Sequence, residues 1–136
     1  MSNADFEILQ PKAWVSPQGY ANGIAARGRQ VFIAGQIGWN AEARLVGADI
    51  VAQCEQALKN IVAVLAEARG FPHHITRMTW YVVDKTDYVA RRKEIGLAYR
   101  RIIGRHYPAM TLVVVAGLLE EGARVEIEAT AVIPPG

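Results

Sequence analysis

The stretch RVEIEATAVI, residues 124–133, decides the fold. Val125, Ile127, Ala129 and Ala131 alternate with Glu126, Glu128 and Thr130. Successive side chains of an extended chain point to opposite faces, so this is a strand with one apolar row and one polar row. Such a strand needs a core on one side only. The rest of the chain must supply the elements that cover that side.

Working outward, HYPAMTLVVV (residues 106–115) runs from a Pro-containing turn into branched aliphatic residues and reads as a loop feeding a buried strand. ITRMTWYVVD (residues 75–84) is a further strand, with Thr79, Tyr81 and Val83 on one face and Met78, Trp80 and Val82 on the other. RQVFIAGQIGWN (residues 29–40) is an apolar strand ending at Gly35, where the missing side chain lets another group approach the backbone. Residues 5–10 form a short strand closed by Pro11, and residues 12–28 read as loop with a short strand near Ile24.

Two helices complete the pattern. The first starts at Asp49, an acceptable N-cap, and ends at Gly70. Ile50, Ala57, Ile61, Val64, Leu65 and Ala68 fall on one of its faces. Thr86 and Asp87 offer caps for the second, which turns Ile95, Tyr99 and Ile102 inward and stops at Gly104. The order predicts one α+β domain over residues 1–136, a layer pair in which two helices cover one face of a mixed sheet. The other sheet face carries Glu126, Glu128 and Thr130 and, on this reading, Met78, Trp80 and Val82. A face that large is not expected to stay in water, so self-association as a closed ring is inferred.

Composition sets the outer limits. At 136 residues, with 51% apolar and 21% charged residues, the chain is an ordinary single globular domain. A net charge of +2 is too small for the dense basic face of a nucleic-acid binder. The lone Cys54 excludes an internal disulfide, fits a reducing compartment, and reads as a small apolar side chain on a helix. MSNADFEILQP has neither the basic start nor the apolar run of a leader, and no segment approaches the roughly 20 apolar residues of a membrane span. The expectation is a soluble, cytoplasmic domain with no membrane partner.

Most familiar catalytic signatures are missing. There is no nucleophile elbow, no phosphate-cradling glycine loop and no metal motif, so neither a metal nor another cofactor is expected. His73 and His74 are adjacent in a surface turn, with no second ligand cluster at metal spacing. His106 reads as a solvent-facing loop histidine. The runs ARRKE and YRR give the second helix a basic, solvated face, and Trp39 and Trp80 read as packing residues that could also stack on a ligand.

VFIAGQIG, DIVAQCEQALKNIVAVLAEARG, ITRMTWYVVD, YPAM and VEIEATAV together resemble the RidA/YjgF family, also known as endoribonuclease L-PSP or as enamine/imine deaminases. The resemblance spans residues 20–132 in order and spacing. It implies a chorismate-mutase-like fold, a homotrimer, and small-molecule sites in the clefts between subunits. In the family's active deaminases an arginine on the loop before the penultimate strand grips the substrate carboxylate. Here the matching segment is Pro108-Ala109-Met110-Thr111. A thioether offers no donor, whereas a guanidinium offers a planar fork. Residue by residue, Glu126 matches the glutamate that holds the attacking water, Gly35 the glycine lining the pocket, and Tyr20 the tyrosine of the N-terminal loop. Gly96 is the best match for an asparagine of the second helix.

The resemblance implies a hydrolytic deaminase of a small enamine or imine. Glu126 is the expected catalytic group, and Tyr20, Gly35, Met110 and Thr111 the expected substrate contacts, with Met110 marking a changed substrate. A trimer that binds a small metabolite without turnover is the alternative. Ribonuclease activity is a third reading, disfavoured by the lack of a basic track. For Glu126 and Glu128 the bland alternative is a solvated strand face.

Overall fold

A computed structural model describes residues 5–136; residues 1–4, the start of the stretch considered for a leader, lie outside the described residues. The elements are β1 (Phe6–Leu9), β2 (Gly23–Ala26), β3 (Arg29–Gln36), α1 (Ile50–Glu67), a 3-10 turn (Pro72–His74), β4 (Ile75–Val82), α2 (Lys85–Ala90), α3 (Arg92–Ile102), β5 (Ala109–Val114) and β6 (Val125–Ile133). The expected α+β architecture is present.

β6 is a central strand because its alternation suits two neighbours and one covered face. The main sheet has the order β3-β6-β4-β5, with β6 antiparallel to both neighbours and β4 parallel to β5. The sheet is therefore mixed. β1 and β2 pair antiparallel as a separate two-stranded ribbon. A single bridge, Ala21 to Ala109, docks the chain just before β2 onto the start of β5, helped by a 3.0 Å hydrogen bond from the Ala21 N–H to the Pro108 carbonyl.

Helix α1 starts where its cap is best. The Asp49 carboxylate accepts from the Ala52 N–H at 3.0 Å, an arrangement worth about 1 kcal/mol. Its inward face buries Ile50, Gln53, Cys54, Ala57, Leu58, Ile61 and Leu65. Val64, expected inward, is 41% exposed, since it falls a residue away from the stripe that meets the sheet. Burial pushes the Cys54 thiol up to about 12, which leaves it the quiet apolar side chain anticipated. Ile75, Met78, Val82, Val125 and Ile127 close the core from the sheet side.

Two expectations need correction. Met78, Trp80 and Val82 lie under the helices, 0–3% exposed, because they sit opposite Ala129, Ile127 and Val125 of β6. The open face carries Arg77, Thr79 and Tyr81 in their place. The second helix is also two helices. Asp84, not Thr86 or Asp87, caps α2 through a 3.0 Å bond from the Asp87 N–H. Arg91 then leaves helical geometry (φ −107°, ψ 10°), its guanidinium held by Asp49 and Glu94 at 2.7 Å each. Helix α3 buries Ile95, Ala98 and Tyr99, while Ile102 is only half-buried. Among the described residues no helix is long and apolar enough to cross a membrane.

Candidate functional site

The expected site residues fall into two groups on opposite sides of the sheet. On the open face, Gly35 and Glu126 meet. A β-carbon on Gly35 would collide with the Glu126 carboxylate, coming within 2.8 Å of Cδ. Gly35 sits where the β3–β6 register slips between Ile33 and Gln36, so the bulge brings its backbone up to the carboxylate. β3 runs one residue beyond the expected end, to Gln36.

The chain beyond β3 is held by two amide side chains of α1, Gln53 and Asn60, that sequence reasoning did not single out. Gln53, fully buried, donates to the Gly47 and Gly122 carbonyls at 2.7 and 3.0 Å and accepts from the Arg124 N–H at 2.8 Å. Asn60 donates to the Trp39 carbonyl at 2.8 Å. Gly38 packs so tightly on α1 that a β-carbon there would lie 2.5 Å from the Gln53 Cα. Inward-facing amides on an otherwise apolar helix stripe were the available signal.

Glu126 pairs across β6–β4 with Tyr81, and Glu128 with Thr79. The two glutamates differ in their partners. Tyr81 Oη donates to Glu128 Oε1 at 2.5 Å, and that hydrogen bond pushes the Tyr81 phenol above its ordinary range. No side-chain hydrogen bond or ion pair engages Glu126 among the described residues. Thr111 lies on this open face too, in the row of Thr79 and Glu128.

Met110, one residue earlier on β5, points the other way. It lines a cavity of about 570 Å³ between the start of β5, helices α2 and α3, and the loop before β2. Tyr20 and Gly96 line the same cavity, as do Arg92 and Arg100. Its floor is aromatic: Trp80 and Tyr99 have ring centroids 6.4 Å apart, and Tyr99 stacks on Tyr107 at 5.5 Å. Tyr99 Oη donates to the His106 carbonyl at 2.5 Å, which fixes the ring, and burial raises its phenol well above the usual range. The structure thus brings Tyr20 and Met110 together, and Gly35 and Glu126 together, but one chain does not join the two pairs.

His74 and His106 are tied to backbone groups. His106, expected in solvent, is half-buried and donates from Nε2 to the Ile75 carbonyl at 2.6 Å. His74 Nδ1 accepts from the Phe71 N–H at 2.9 Å. Among the described residues no group of three acidic, histidine or cysteine side chains could hold a metal ion.

Comparison with known proteins shows the family of the chain. The family model described as endoribonuclease L-PSP matches residues 11–133. The chain is 37% identical over 123 residues to protein DfrA of Myxococcus xanthus, covering 90% of this chain and 88% of that one. It is 31% identical over 116 residues to the 2-iminobutanoate/2-iminopropanoate deaminase of Escherichia coli strain K12, covering 83% and 86%. Among solved structures it is similar to YyfB of Yersinia pestis, a protein of unknown function of the conserved Rid family. That match has a TM-score of 0.84 at 30% identity and covers 95% of this chain and 99% of the other.

Proposed function

Because the chain belongs to the endoribonuclease L-PSP family, the group also called RidA/YjgF, we propose that it hydrolyses a reactive imine or enamine to a carbonyl compound and ammonia. The observation that carries this reading is the apposition of Gly35 and an unengaged Glu126 carboxylate. Water adds across the C=N bond, with Glu126 taking its proton as the C–O bond forms. The glutamic acid then returns that proton to nitrogen, and the carbinolamine collapses to the carbonyl and ammonia. A carboxylate within reach of both water and nitrogen suffices for this shuttle. The Gly35 backbone leaves room for the reacting carbon beside it.

A complete site needs a second copy. Met110 and Tyr20 line the helix-side cavity while Glu126 faces the open side, so the pairs meet only where one subunit's cavity mouth closes on a neighbour's open face. Phe32, 72% exposed, and Val113, 39% exposed, give that face an apolar share that association would cover. A closed homotrimer is the arrangement proposed. Sedimentation equilibrium at micromolar concentration should return three times the chain mass. A monomer would remove the shared site.

The second reading is a non-catalytic metabolite-binding trimer, favoured by Met110 at the position where an arginine was expected. The two separate when imines are generated in the assay by an amino acid oxidase and trapped with semicarbazide. A deaminase lowers the trapped fraction in proportion to its concentration; a binder does so only stoichiometrically. For ribonuclease activity the open face offers no basic track, since Glu126 and Glu128 occupy its centre.

A further inference from the structure

Helix α3 lines the cavity with Arg92, Gly96 and Arg100, residues four apart and therefore on one helix face. Of the arginines in the two basic runs, Arg91 is bound by Asp49 and Glu94, and Arg101 by Glu55. Arg92 and Arg100 make no ion pair among the described residues. Among the described residues no carboxylate lines the cavity that they border. Two unpaired guanidinium groups at the rim of a cavity without a negative charge make a site for an anion.

A second, independent observation lies on the cavity floor. Trp80 is 3% exposed, and its Nε1 is the one buried side-chain nitrogen or oxygen without a hydrogen-bond partner among the described residues. An unmet buried donor costs about 1–3 kcal/mol, and a ligand acceptor would relieve it. Between the arginines, Gly96 presents no side chain, and a β-carbon there would meet nothing within 4 Å. The wall is therefore open at the point where a ligand body would pass between the two cations. Tyr20, Tyr88, Tyr99 and Tyr107 add flat faces to that of Trp80. The volume of about 570 Å³ lies inside the roughly 300–1,000 Å³ typical of sites for drug-sized ligands, larger than a three-carbon acid requires.

We propose that Arg92 and Arg100 form the anion clamp of this cavity, in place of the arginine absent at Met110, and that its ligand is a carboxylate with a flat apolar body. Joined to the deaminase reading, on which this last step rests, the substrate class is an aromatic 2-imino or 2-enamino acid. The acid group binds at α3, with one of its oxygens accepting from Trp80 Nε1, and the ring lies along the tyrosines.

Titration calorimetry on the oligomer, with 3-phenylpropanoate and its neutral amide as probes, tests the clamp without any turnover. The acid should bind at least tenfold tighter than the amide. Arg92→Ala and Arg100→Ala should each weaken the acid at least fivefold, and the double variant should erase the preference. Arg101→Ala, whose guanidinium is engaged by Glu55, should leave it unchanged. The Trp80 indole N–H resonance should move downfield with the acid. Equal affinities, no binding of either probe at millimolar concentration, or a preference surviving in the double variant would overturn the proposal. The two readings fail separately. A clamp that holds while no imine is consumed sinks the deaminase reading alone. Consumption of 2-imino-3-phenylpropanoate that ignores the double substitution sinks the clamp alone.

Discussion

Gly35 and Glu126 face each other across the β3–β6 bulge so closely that the glycine cannot carry a side chain without displacing the carboxylate. The atoms in the way are the end of a flexible side chain, not backbone, so the fold can accommodate the change by swinging Glu126 aside. Gly35→Ala should therefore keep the melting temperature within a few degrees while lowering imine hydrolysis at least tenfold, about 1.4 kcal/mol of barrier. Activity retained in a folded Gly35→Ala would mean that the position of Glu126 is not critical.

Met110 supplies no donor where the resemblance implies a carboxylate-gripping arginine. Losing one charged hydrogen-bond partner costs about 1.5–3 kcal/mol, so 2-iminopropanoate should be consumed some tenfold to a hundredfold more slowly than by an arginine-bearing relative. Met110→Arg should raise that rate, because the half-buried Met110 position opens on the same cavity as Tyr20. Equal wild-type and relative rates would show that this small acid is already well anchored.

Stability should fall on mild acidification because of two histidines. Burial lowers the His106 and His74 pKa values below the usual range; repulsion from His73 adds to both, and the Ile75 carbonyl partly offsets the shift at His106. A base whose folded pKa is depressed binds fewer protons folded than unfolded. Stability is therefore full above the ordinary histidine value of about 6.5 and is lost as the pH falls from there toward the depressed values. Between pH 7.5 and 5.5 the melting temperature should therefore drop. Asp49 and Glu94, lowered mainly by their bonds to Arg91, lose their contribution only at more acid pH. The double substitution His74→Gln and His106→Gln should flatten this slope; an unchanged slope would assign it to other groups.

The period-2 pattern of β6 and the capped apolar stripe of α1 were legible because each is a local consequence of one face meeting the core. The face of β4 was misassigned although its alternation carried the signal. Met78, Trp80 and Val82 form an apolar row against Arg77, Thr79 and Tyr81, and the register placing Trp80 opposite Ile127 sets that row on the core side. The break between α2 and α3 was hidden because no Pro or Gly marks Arg91, and one of the two carboxylates that hold it, Asp49, is distant in sequence. Of the site, Gly35 was legible as a point of close approach. Arg92 and Arg100 were not separable from their solvated neighbours until the pairing of Arg91 and Arg101 was seen.

Glu126 bears the central claim, and Glu128, two residues along the same face and engaged by Tyr81, is its internal control. Glu126→Gln keeps the shape and a hydrogen bond but cannot carry a proton. The decisive measurement is the rate of imine consumption, by semicarbazide competition with imines of small and aromatic amino acids, for wild type, Glu126→Gln and Glu128→Gln at matched oligomeric state. The account predicts loss of at least a hundredfold for Glu126→Gln, with unchanged oligomer and ligand affinity, and a far smaller loss for Glu128→Gln. Wild-type turnover that persists in Glu126→Gln would contradict it.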